Sequence, residues 1–163
     1  MTTKADFNAE EWDRLRQGPS AAAVMVIAAE RGGTIRESVA VGSAYSEAAQ
    51  SSGGLLAELA SDSPKIEREA LGTREELPVR GPQIISEAVS LIEAKASPED
   101  VEAFKRFCLD VAEHAAEATK SGGFLGIGGK RISEAESSVL DQIAATLGIE
   151  RSASGPAPAD TGG

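Results

Sequence analysis

Cysteine, histidine and aromatic residues are scarce in this chain, and each scarcity removes a class of function. Cys108 is the only cysteine, so no intrachain disulfide can form. His114 is the only histidine, so a His–Cys metal site lacks its remaining ligands. Aromatics make up 4% of the 163 residues, which leaves Ala, Leu, Ile and Val to build the core. Such small side chains suit closely packed helices better than a β-sandwich, which would be richer in Val, Thr, Tyr and Phe. Long apolar runs are also missing. The longest, residues 21–29, is nine residues, against the roughly 18 needed to cross a bilayer. The start Met1-Thr2-Thr3-Lys4-Ala5-Asp6 is polar and has no signal-peptide apolar region, so the expected compartment is cytoplasmic. Basic residues are outnumbered 16 to 26, giving a net charge of −10. That balance argues against nucleic acid and anionic membranes as partners, since both demand a basic surface. Its first meaning is solubility.

What the chain does have is helix punctuation. Asn8 and Glu11 have capping-box spacing, with Phe7 and Trp12 placed as a hydrophobic staple. The first helix is expected over 9–17, stopped by Gly18-Pro19, with a second, almost wholly apolar helix over 20–31. Thr34 and Glu37 open a third helix over 35–51. Its Ala40, Gly42, Ser43 and Ala44 would let a neighbouring helix approach closely. Residues 52–82 read as short pieces, with brief helices at 55–59 and 66–71. Pro82 is expected to open a helix over 83–95. Ser97-Pro98-Glu99-Asp100 begins the longest helix, to about residue 120. Val101, Phe104, Cys108, Val111, Ala115 and Ala118 form one seam along it. Ser133 and Glu136 box the last helix, which Gly148 ends. No strand-like alternation occurs. The expected class is all-α: a compact single-domain bundle of roughly seven or eight helices over residues 1–151, with a disordered tail over 152–163.

One motif occurs twice. An alanine-rich helix ends in Gly-Gly and an acid-capped helix follows, once around Gly32-Gly33 and once around Gly122-Gly123. The two copies imply two pseudo-repeated helix–turn–helix halves. The second carries an insertion, Phe124-Leu125-Gly126-Ile127-Gly128-Gly129-Lys130-Arg131. It is not a phosphate loop. The position five before Gly129 is Phe124, Arg131 replaces the required Ser or Thr, and a helix precedes it where a strand is needed. Phe124, Leu125 and Ile127 either fold back on the core or present an adaptable apolar tip to a partner; Lys130 and Arg131 beside a helix start could hold an anion.

Candidate chemistry is thin. Cys108 sits on the apolar seam, where a thiol is inert. His114 lies six residues along the same helix, about 240° around it, so the two do not converge. No nucleophile–base pair is found and no cofactor is expected. The acids cluster mostly in first helical turns, where the helix dipole accounts for them.

The repeated motif resembles the TerB-like tellurite-resistance family. The resemblance is carried by residues 111–122, then Ile132-Ser133-Glu134-Ala135-Glu136, then Leu140 to Ile149 with the ending Ile143-Ala144-Ala145-Thr146-Leu147-Gly148; residues 21–49 follow the same pattern. It implies a compact all-α intracellular bacterial protein associated with tellurite or stress response. The family's turn acids are thought to bind divalent cations. Here the turns read Glu30-Arg31-Gly32-Gly33 and Lys120-Ser121-Gly122-Gly123. Glu30, Glu37, Glu134 and Glu136 are the acids left for a metal. The expected function is non-enzymatic, by protein interaction or self-association through Phe124, Leu125, Ile127, Lys130 and Arg131. The alternative is a divalent-cation-binding protein using the four glutamates.

Overall fold

In a computed structural model the described residues are 2–29, 35–120 and 133–151, with the side chains of 35–39, 119 and 120 excepted. They form a 3₁₀ turn, Lys4–Asp6, and seven α-helices, with no strand among them. The helices are α1 Ala9–Ala29, α2 Ile35–Ser51, α3 Gly54–Ser61, α4 Arg68–Leu71, α5 Leu77–Lys95, α6 Pro98–Lys120 and α7 Glu134–Leu147. The all-α expectation holds. Both Gly-Gly turns of the pseudo-repeat, and the tail from residue 152, lie outside the described residues.

The helix starts form as their local chemistry dictates. Asn8 Oδ1 accepts from Glu11 N–H, and Glu11 returns the bond to Asn8 N–H, both at 2.9 Å. The Phe7 and Trp12 rings meet at 6.0 Å as the staple spacing requires. Ser97 Oγ accepts from Asp100 N–H at the head of α6. Ser133 and Glu136 form the reciprocal box of α7, and Gly148 ends it in the left-handed conformation at φ 70°.

Two boundaries differ from the sequence expectation. Helix α1 runs straight through Gly18 and Pro19, and α5 begins at Leu77, a turn before Pro82. An interior proline costs about 3 kcal/mol. In α1 that cost is offset by burial, because Leu15, Ala22 and Val26 are fully enclosed, each removing apolar surface from water. In α5 the missing N–H of Pro82 frees the Pro78 carbonyl four residues back, and Gln142 of α7 donates to it at 3.3 Å. The proline thus supplies an interhelical bond.

Helix α1 is central, packed against α5 and α6; α2 lies on α6, and α7 closes over α5, α1 and α6. Phe104, Leu15, Ile85, Ile92, Leu140, Ile143 and Leu147 are among the fully buried side chains of one continuous core. The middle of the α6 seam is as expected, with Phe104, Cys108, Val111 and Ala115 at 0–1% exposure, while Val101 and Ala118 at its ends are half-buried. Of the small residues of α2, Ala44 is buried, but Gly42 takes no part in a close approach. Gly42 is exposed, with nothing within 4 Å of where a Cβ would stand. The tight crossing is at Gly18, where a Cβ would come to 3.0 Å from Ala88 Cβ and 3.1 Å from Phe104 Cζ. A second is at Gly81, under the Met25 thioether.

Candidate functional site

The illegible stretch of the sequence turns out to build a strap. From Asp62 to Arg74 the chain follows α1 from near its start to near its end. Asp62 accepts from Trp12 Nε1 at 2.6 Å and from Lys4 Nζ at 2.8 Å, and these two donors hold its carboxyl below the usual range. The Arg16 guanidinium donates to the Ser63 carbonyl. Lys65 pairs with Asp13 at 3.3 Å. At the far end Arg74 Nη2 donates to the Ala28 carbonyl at 2.6 Å. That bond satisfies one of the carbonyls that every helix C-terminus leaves without an intrahelical partner.

A capping box fixes the end of the strap. Thr73 N–H donates to Glu76 Oε2 at 2.8 Å, and Glu76 N–H to Thr73 Oγ1 at 3.3 Å. The Thr73 bonds are the leading cause of a lowered Glu76 pKa. Gly72, at φ 73°, makes the turn into it; a Cβ there would strike the Glu76 carboxylate. Leu77 and Leu71 are buried beside this turn, and Ile66 is left 53% exposed.

Between strap and helix lies a cleft of about 490 Å³. Val24, Ile27 and Ala28 of α1 form one wall; Ile66, Leu71 and Leu77 face them. Arg68, Thr73 and Arg74 supply its polar groups, and among the described residues no carboxylate lines it. A hollow of about 240 Å³ continues past Arg74 and Leu77 towards Val139 and Gln142 of α7. The size falls within the roughly 300–1,000 Å³ of small-molecule sites, and a mostly apolar lining with a few convergent polar groups is their usual make-up. The arrangement can hold an apolar body and fix its orientation.

The residues singled out by sequence lie elsewhere. Cys108 is completely enclosed, and burial pushes its thiol well above the usual range. His114 points the other way on α6, with Nδ1 2.8 Å from the Asp110 carbonyl and Nε2 3.6 Å from Glu47 of α2. Of the four glutamates, Glu134 is exposed in the first turn of α7. Glu136 is 2% exposed and committed to the cap, accepting from Ser133 N–H at 3.0 Å. Glu30, and the side chain of Glu37, lie outside the described residues, as do Phe124, Leu125, Ile127, Lys130 and Arg131. Among the described residues no three His, Cys, Asp or Glu side chains are placed to hold a metal. No described helix is long and apolar enough to cross a membrane.

Sequence reasoning missed Ile66, Arg68, Thr73 and Arg74. One signal was present: Thr73-Arg74-Glu75-Glu76 has the same Ser/Thr-x-x-Glu spacing as the box of α7. Comparison with protein-family models, with curated proteins and with solved structures gives no match.

Proposed function

We propose that this chain is a non-enzymatic recognition protein of the cytoplasm, TerB-like in its C-terminal half, that acts by binding in the cleft between α1 and the strap. The TerB-like reading is carried by the motif of residues 132–148 and brings with it an association with tellurite or stress response. The observation that carries the binding reading is the cleft itself. A strap anchored at Trp12, Asp13, Arg16 and Ala28 holds Ile66, Leu71 and Leu77 across from an apolar wall of α1. Anchors along its length pre-organise the wall, so a ligand does not have to order it. Recognition without bond-making suits the surroundings, since the thiol is sealed and the imidazole lies beside Glu47 of α2.

The test uses a neutral apolar fluorophore, 1-aminoanthracene. Its emission should rise on the intact chain and fail to rise on Ile66→Glu, a substitution at an exposed position that leaves the core untouched. If the intact chain leaves the emission unchanged, the binding reading is wrong.

A further inference from the structure

The charge of the cleft runs against the charge of the chain. Acids outnumber bases 26 to 16 overall, yet among the described residues the charged groups lining the cleft are two arginines and no carboxylate. Arg68 is exposed, and among the described residues its guanidinium makes no hydrogen bond or ion pair. Arg74 is laid over the end of α1 by its bond to Ala28. The Thr73 oxygen accepts from Glu76 N–H, and its hydroxyl is itself bonded to the Glu76 carboxylate. Two guanidinium groups therefore line an apolar cavity.

We propose that the cleft takes a free amphipathic carboxylate, a small molecule with an apolar body and one anionic head. The body lies on Val24, Ile27, Leu71 and Leu77. The head is held by Arg68 and Arg74, whose planar guanidinium forks match a carboxylate. The proposal rests on the reading of the cleft as the binding site and adds the class of ligand. A small molecule is favoured because the cavity has the volume of one. A free solute is favoured over a bilayer headgroup because a chain of net charge −10 is repelled by an anionic surface.

Titration calorimetry of the full chain with decanoate, decan-1-ol and decyltrimethylammonium, each below its aggregation limit, decides the matter. Decanoate should bind at least about tenfold tighter than the alcohol, as charge-assisted hydrogen bonds require, and the cation weakest of the three. Arg68→Gln should erase most of that preference and leave the alcohol unchanged; Ile66→Glu should weaken both. Equal affinity for decanoate and decanol overturns the anionic head group while the cleft still binds. Binding of neither removes the cleft reading as well. Decanoate binding that ignores both substitutions places the ligand elsewhere and overturns the proposal. So does a dimer in sedimentation that Ile66→Glu dissolves, which would assign the cleft to a second copy.

Discussion

Replacing Gly18 by Ala tests the packing at the centre of the bundle, and Gly42→Ala supplies its control. Both glycines lie inside helices, α1 and α2, and neither has a positive φ. Each substitution therefore gains the same helix propensity, about 0.8–1 kcal/mol. At Gly42 nothing opposes the gain, because open space surrounds the new methyl. At Gly18 the methyl meets Ala88 Cβ at 3.0 Å and Phe104 Cζ at 3.1 Å. Ala88 has no rotamer by which to retreat, and Phe104 is 1% exposed in a filled core. Overpacking of this kind costs about 1–3 kcal/mol. Gly42→Ala should thus raise stability by about 1 kcal/mol, while Gly18→Ala should be neutral to about 2 kcal/mol destabilising. In urea unfolding the two variants separate by about 1–3 kcal/mol; in a thermal melt the gap is roughly 2–12 °C for a chain of this size. If both variants gain stability equally, α1, α5 and α6 do not cross as closely as described and the reasoning fails.

Three further outcomes are expected. Thr73→Ala removes the side-chain bonds that hold the turn into α5 and should cost about 1 kcal/mol in urea unfolding; because that turn also fixes the cleft rim, decanoate affinity should fall with it, and unchanged stability would mean that these bonds contribute nothing. Burial, chiefly, raises the Glu113 pKa from 4.5, so its charged form weakens the fold above that value. Glu113→Gln should therefore melt higher than the parent chain at pH 7, and the difference should shrink as pH falls through the raised pKa towards 4.5; a gap that widens on acidification would reverse the sign of the argument. Asp62, with its pKa lowered by Lys4 and Trp12, acts oppositely: Asp62→Asn should lose stability at pH 7, and the loss should fade as pH falls below 3.8, which a series of melts from pH 7 to pH 2 would check.

Local chemistry determined where three of the seven described helices begin and how the last one ends. Asn8–Glu11, Ser97–Asp100 and Ser133–Glu136 are four-residue patterns whose hydrogen bonds need nothing from the rest of the chain, and Gly148 needs only its own freedom at positive φ. The scarcity of aromatics and the spacing of the α6 seam likewise settled the all-α class and the burial of Cys108 in advance. Tertiary structure decided what depends on neighbours distant in sequence. Pro19 reads as a helix stop until Leu15, Ala22 and Val26 are enclosed on either side of it. Gly42 and Gly18 are alike as letters, yet only Gly18 has Ala88 and Phe104 against it. The cleft is the same case on a larger scale. Ile66, Arg68 and Arg74 sit in the least regular stretch of the sequence and become a wall only because Trp12, Asp13, Arg16 and Ala28 hold that stretch along α1. Contacts across some 50 residues have no periodicity to announce them, so the sequence sets the elements while their packing creates the site.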